Sequence, residues 1–392
     1  MISLARYRAL LAARDLRFSF AASIVGRLPI GITGLAILLL VQGQTGSFAR
    51  GGAATGCYVA GLATLAPALG RLIDRYGPRF ILLGCAILFP AALAALVASV
   101  ALGARAWMTL AFAIVAGGTF PPITVCMRTY LKQRLGSDAS LTTAYSLESV
   151  LIEMVFIVGP MLVASFVAVA SPTAAVLFAA LCGFVGTLLF LRSPALRAWR
   201  TEARSASGLL GPLAEPGFVP LIGVILCYSM AFGLMEIGLA AYATEIDAPA
   251  LAGVLLGLMS AGSAFGALAY GSRTWRGSLV QQFATTLALM SFGLAVLALR
   301  WQPWLFALLS VAAGIMMAPA LIIQSMLVAK TARPEHATEA FTWSASALLS
   351  GIGIGLAAGG GLLEVMPSSA ALAGGAASAL LAAIGVLIAL RR

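Results

Sequence analysis

The decapeptide Gly70-Arg71-Leu72-Ile73-Asp74-Arg75-Tyr76-Gly77-Pro78-Arg79 lies between two long apolar runs. An unpaired charge at mid-bilayer costs at least about 2.5–3.5 kcal/mol. The decapeptide therefore belongs in water at a membrane face, and its flanks belong in lipid. Composition requires the same division. Of 392 residues, 61% are hydrophobic and 9% charged, whereas soluble domains carry about 25% charged residues. No soluble fold buries so much apolar surface, so the chain reads as an integral membrane protein.

Twelve apolar runs are each long enough to cross a hydrocarbon core of roughly 30 Å. They are 18–42, 51–70, 80–103, 107–131, 143–169, 173–193, 217–241, 249–271, 278–299, 302–328, 338–363 and 368–390. Their periodicity is helical, without the ten-residue alternation of a β-barrel. The first run is too long for a signal-peptide core and is expected to stay as a helix. The expected class is all-α, with twelve transmembrane helices.

The net charge of +11 is a topology signal. Twenty lysines and arginines fall on the face that carries the decapeptide and both termini, and three, Arg50, Arg105 and Arg300, on the other. Arg27 is left within the first span. This bias places both termini in the cytoplasm and removes the case for a nucleic-acid partner. The five cysteines all fall inside predicted spans without metal-ligand spacing, and His336 is the sole histidine, so no metal or cofactor is expected. There is no phosphate-binding Gly-rich loop ending in Lys-Ser/Thr, no Ser-His pairing and no acidic metal motif. An enzyme is not expected.

Residues 1–17 are basic and amphipathic and read as an inner-surface segment. Residues 194–216 form the longest polar stretch and divide the chain into 1–193 and 217–392. The two parts are related. An offset of 196 residues maps Gly70-Arg71-Leu72 onto Gly266-Ala267-Leu268, Thr142 onto Thr338 and Gly159 onto Gly355; an offset of 197 maps Ala116-Gly117 onto Ala313-Gly314 and Pro122 onto Pro319. In the second copy Tyr270 stands where Asp74 stood. Within the fourth run, Gly117-Gly118-Thr119-Phe120-Pro121-Pro122 breaks the helical hydrogen bonding, which lipid tolerates only where the backbone faces protein or a cavity.

The pattern Gly-x-Leu-x-Asp-Arg-x-Gly-x-Arg at 70–79, the twelve spans and the half-length repeat together resemble the major facilitator superfamily. The resemblance implies two pseudo-symmetric six-helix bundles, a cytoplasmic linker between them and a substrate site near mid-membrane. It implies that Gly70, Asp74, Arg75, Gly77 and Arg79 form a conformational latch, Asp74 meeting the N-terminal end of helix 11 when the transporter faces outward. The Gly159-Pro160 step looks like part of the antiporter motif of the drug-efflux branch, with Val155 in place of its first glycine. The arginine that efflux members carry early in helix 4 is absent from Ala111 to Ala116. The expected function is secondary transport of a small molecule by alternating access, as proton-coupled efflux by a monomer in a bacterial inner membrane. The alternatives are an importer or facilitator of a small polar metabolite, or a non-transporting receptor on the same scaffold.

Ionisable groups inside spans are rare and face the bundle interior or a wet cavity. Arg27 and Glu153 lie at similar depth and are expected to pair, either as an exchanging proton or substrate site or as a fixed ion pair. Arg27 is able to receive one carboxylate of a substrate. Glu148 lies about 140° round the helix from Glu153 and level with Arg128, which suggests a structural or gating pair there. Glu236, alone in the seventh span, is a proton or cation candidate, or else hydrated near the outer mouth. Tyr228 and Gln324 offer hydrogen bonds to a substrate or between helices. Trp343, Phe341, Phe232 and Phe120 either line a cavity or pack.

Overall fold

A computed structural model describes all residues except 1–3, 47, 137, 198, 200–210, 249–250, 300 and 391–392. The expected linker therefore lies largely outside the described residues. Among those described there are helices and no strands. In order they are α1 (Leu4–Ala12), α2 (Arg14–Thr45), α3 (Phe48–Tyr76), α4 (Pro78–Ala101), α5 (Ala106–Gly118), α6 (Ile123–Leu135), α7 (Asp138–Val169) and α8 (Pro172–Leu191). After these come α9 (Pro194–Arg197), α10 (Phe218–Glu245), α11 (Leu251–Gly271), α12 (Leu279–Leu297), α13 (Pro303–Gly314), α14 (Met317–Thr331), α15 (Ala337–Leu363) and α16 (Ser368–Ala389). Counting α5 with α6 and α13 with α14 as single broken helices, twelve are long and apolar enough to cross a membrane.

The expected surface segment 1–17 divides into α1 and the first turn of α2. Helical propensity does not stop at the membrane surface, and α2 is held there by Asp15, which accepts from Arg134 Nε at 2.8 Å and from the Tyr130 hydroxyl at 3.1 Å. The break in the fourth span falls at Thr119–Pro122, where the two prolines withhold backbone donors. Its counterpart in the tenth span falls at Ile315–Met316, three residues before Pro319.

The signature turn is tight. Gly77 sits at φ 80°, a conformation that suits glycine, and Pro78 opens α4. The face carrying this turn also carries most of the arginines and is called the basic face below.

Lipid tails are as apolar as leucine, so helix association in a bilayer depends on close packing and small residues. Glycines supply it at matching places in the two bundles. Gly61 and Gly117 let α3 and α5 meet backbone to backbone, and Gly262 and Gly314 do the same for α11 and α13. Gly31 and Gly159 join α2 to α7, and Gly233 and Gly355 join α10 to α15. The internal repeat seen in the sequence is thus a repeat of packing contacts. The most extensive packings lie within the first six spans, α2 on α8 and α3 on α5, and within the last six, α10 on α15 and α16, and α12 on α16.

A side chain at Gly355 would overlap the Met230 carbonyl, whereas one at Gly353 meets open space. Replacing Gly355 with Leu should cost about 1–3 kcal/mol or more through overpacking and lower the melting temperature in detergent. Gly353→Leu on the same helix should melt like the parent.

Candidate functional site

Three groups of polar contacts join or underlie the two bundles. The first is at the basic face. Helix α15 begins after His336 with no side-chain cap of its own, which leaves its first N–H groups without helical partners. Asp74 of α3 supplies the cap from the other bundle: Thr338 N donates to Oδ1 at 3.0 Å and Glu339 N to Oδ2 at 2.7 Å. A carboxylate is doubly suited to this place, as hydrogen-bond acceptor and as partner of the positive helix end. One turn earlier on α3, Arg71 donates through Nε at 3.1 Å and Nη2 at 2.6 Å to Glu339 Oε1. Trp343 Nε1 reaches the same oxygen at 3.4 Å. A Cβ on Gly70 would collide with Thr342 and Glu339, so its absence is what lets α3 touch α15. Lys132 Nζ donates to the Ala332 carbonyl at 3.1 Å, and Arg333 pairs with Glu215 at 2.8 Å.

Not every expected latch residue reaches this junction. Arg75 is exposed and lies 5.1 Å over the Tyr76 ring, and Arg79 is also exposed. On a helix, Arg75 lies about 40° round from Arg71 and one turn nearer the end of α3, beyond the start of α15. The bridging arginine is Arg71. Its partner Glu339, 2% exposed, was not singled out in the sequence. Its signal was available: an acid in the first turn of a span that lacks a cap.

The second group joins α7 to α11. The Tyr7 hydroxyl contacts Ser146 Oγ at 2.8 Å and donates to the Leu268 carbonyl at 3.1 Å. Ser146 donates to the Ala267 carbonyl, and Thr143 to that of Gly271 at 2.8 Å. About 10 Å further along α7, Glu153 Oε1 accepts from Ser263 Oγ at 2.7 Å, with Ser260 beside it. With Ser346 Oγ donating to the Ala63 carbonyl at 2.5 Å, these bonds extend the closed seam inward from the basic face.

The third group is a buried charge centre in the first bundle. Arg27 Nη2 donates to Glu148 Oε1 at 2.8 Å, and Arg128 Nε to Glu148 Oε2 at 3.1 Å. Arg27 and Glu148 are 1% and 0% exposed. The expected Arg27–Glu153 pair is not formed. Matching depth is not enough; the helix face decides. Glu148, Val155 and Gly159 recur at i, i+7 and i+11, one stripe of α7, and the backbones at Val155 and Gly159 touch Gly31 of α2. Glu153 shares its stripe with Ser146, on the opposite side, toward α11. The Glu148–Arg128 contact is present, with Arg27 as a third member.

Across the seam, the Tyr228 hydroxyl donates to Gln324 Oε1, and Gln324 Nε2 donates to Ser344 Oγ at 2.6 Å. These two candidates are joined to one another, tying α10, α14 and α15. Tyr228 also meets Phe232 and Phe283 edge to face. Phe341 packs on Tyr145 across the bundles, and Phe120 on Phe89. Glu236 is exposed on the face of α10 between the side that meets α14 and the side that meets α15. Among the described residues, no group of three or more His, Cys, Asp or Glu is placed to hold a metal.

Residues 19–280, more than half of the chain, match the family described as Major Facilitator Superfamily. No curated protein matches the chain in sequence. Among solved structures, it is similar to a bacterial homologue of the iron transporter ferroportin in an outward-facing state, with TM-score 0.78, 16% identity, and 96% of this chain and 99% of that one covered. It is similar to the human organic anion transporter MFSD10 (TETRAN), with TM-score 0.74, 19% identity, and 95% and 99% covered. It is also similar to the E. coli fucose:proton symporter FucP, with TM-score 0.72, 12% identity, and 95% and 98% covered. Identities this low carry the fold.

Removing the Asp74 carboxylate uncaps α15 and breaks two charge-assisted bonds. Asp74→Ala should weaken the closed basic face by about 1–3 kcal/mol. A cysteine introduced at Thr129, beside Thr338 in the seam, should then react with a polar maleimide roughly 5- to 150-fold faster. Arg75→Gln should leave that rate as it was.

Proposed function

Because the chain belongs to the major facilitator superfamily, we propose that it is a secondary active transporter that carries a small molecule by alternating access. In this reading residues 1–193 and 217–392 are the two moving halves, 194–216 is the linker, and the basic face is cytoplasmic. The conformation is the one that is sealed toward the cytoplasm. The observation that carries the reading is the Asp74 cap on α15: a helix of one half completes its backbone hydrogen bonding with a carboxylate of the other. Such a contact is made in one state and lost in the other, which is what a two-state element requires. The excess of lysine and arginine on that face supports its cytoplasmic placement. The short loops and composition suit a monomer in a bacterial inner membrane.

We further read the transport as proton-coupled efflux. The Gly159-Pro160 step supports the direction, and Glu153 supports the coupling. Glu153 is half-buried, has no basic partner described and bonds to a serine of the other half. When the seam opens, that carboxyl group exchanges a protein donor for water and is free to exchange a proton. Glu236, exposed on α10, is the second acid available to this role.

Purified protein in proteoliposomes with an imposed pH gradient tests this. Lipophilic cations, sugars, amino acids and organic acids are offered, and proton movement is followed with substrate. Antiport should appear as substrate accumulated against its gradient while protons run the other way. Glu153→Gln should reduce that accumulation at least about 10-fold and leave downhill exchange in place. Accumulation that ignores the proton gradient in the parent would replace efflux with facilitation. Unchanged coupling in Glu153→Gln would remove Glu153 from the mechanism.

A further inference from the structure

The centre formed by Arg27, Glu148 and Arg128 holds two guanidinium groups against one carboxylate, a net charge of +1 in an apolar interior. A buried charge cluster with one charge left uncompensated is costly to hold. This one is unbalanced, and its donors are unbalanced in the same sense. Glu148 uses both oxygens, one for each arginine. Arg27 is 1% exposed, yet its Nε and Nη1 have no hydrogen-bond partner. Buried polar atoms of this kind are uncommon in native proteins, and each calls for an explanation. Arg128, bonded to the same carboxylate, is 16% exposed. One cation is thus sealed with idle donors, and the cation beside it is partly exposed.

In the transporter reading, a substrate site lies between the halves at this depth. Arg27, Arg128, Glu148, Tyr228, Gln324 and Ser344 lie 7–13 residues from the basic-face ends of their helices, about 10–20 Å at 1.5 Å per residue. They come from α2, α6 and α7 of one bundle and α10, α14 and α15 of the other. The two sets meet where Phe341 of α15 packs on Tyr145 of α7, whose hydroxyl donates to the Arg128 carbonyl at 3.2 Å.

We propose that this centre binds a small organic monoanion: Arg27 and Arg128 grip its carboxylate beside Glu148, and the Tyr228–Gln324–Ser344 group closes over it from the other half. The proposal deepens the transporter reading and rests on it for the location of the site. A monoanion brings the centre to neutrality and gives the idle Arg27 donors an acceptor. Planar, forked guanidinium groups suit a carboxylate bidentately. A cation is repelled by the same net charge, and a neutral amide of the same shape leaves that charge uncompensated.

The test is thermal melting of the purified full chain in low-chloride buffer. The probes are benzoate, phenylacetate, butyrate and lactate, each set against its amide, with trimethylphenylammonium as the cation. At least one carboxylate should raise the melting temperature by several degrees where its amide and the ammonium ion do not. The shift should vanish in Arg128→Gln and in Arg27→Gln, and part of it should survive in Arg128→Lys. Glu148→Gln is the sharper variant. It removes the one counter-charge described in the centre, so it should melt lower than the parent without ligand, regain stability in the carboxylate and bind it at least 10-fold more tightly. A protein that merely misfolds cannot show that gain.

Absence of stabilisation by any carboxylate in both the parent and Glu148→Gln overturns the proposal. So does equal stabilisation by the amides, or a shift that persists in Arg128→Gln. The two readings separate in proteoliposomes. Transport of a sugar or a cation without carboxylate binding leaves the transporter standing and removes the anion site. Arginine-dependent carboxylate binding without any flux does the reverse.

Discussion

Helix α15 starts without a cap, and the carboxylate that completes it belongs to α3. The contact between the two bundles at the basic face is built on this. A helix end in or near a bilayer cannot leave its first N–H groups unpaired. Here the pairing is possible only while the two bundles touch. Arg71 and Glu339 fasten the same contact one turn away, and the absence of a side chain at Gly70 lets the two helices meet. Secondary structure in one bundle is therefore completed by tertiary contact with the other. Opening the seam must either hydrate the end of α15 or offer it another acceptor.

The architecture was legible because hydrocarbon is an exacting solvent. Twelve runs of the right length, a charge bias and a half-length repeat leave few arrangements open, and the twelve helices follow. The broken fourth span could be read from Pro121 and Pro122 for the same reason. The role of Asp74 was suggested only by a family resemblance. Nothing local to the decapeptide says that a helix about 265 residues later needs a cap. The pairing of Arg27 was misread because depth chose its partner: Glu148 and Glu153 were placed on different faces of the helix, but the face toward α2 was not assigned. The stripe Glu148, Val155, Gly159 was already in the sequence, and glycine in a span marks the side on which another backbone approaches. Glu339 was missed because an acid near the start of a span looks like ordinary interfacial chemistry. Its burial is visible only once α3 lies against it.

The two bundles use one packing device for different ends. Glycine seams at Gly31–Gly159 and Gly233–Gly355 hold corresponding helix pairs in backbone contact. In the first bundle that contact is flanked by the Arg27–Glu148–Arg128 centre. In the second it is flanked by the uncharged Tyr228–Gln324–Ser344 group. The repeat has kept the scaffold and divided the chemistry: charge on one side of the midline, neutral hydrogen bonding on the other.

Trp343 gives this arrangement an optical consequence. Its indole N–H points at the Glu339 carboxylate, while the indoles of Trp275 and Trp301 donate to backbone carbonyls and that of Trp304 to a glutamine. Indole emission responds to a nearby negative charge and to water. With the other tryptophans replaced, the wavelength and intensity of Trp343 fluorescence therefore report whether Arg71 still holds Glu339.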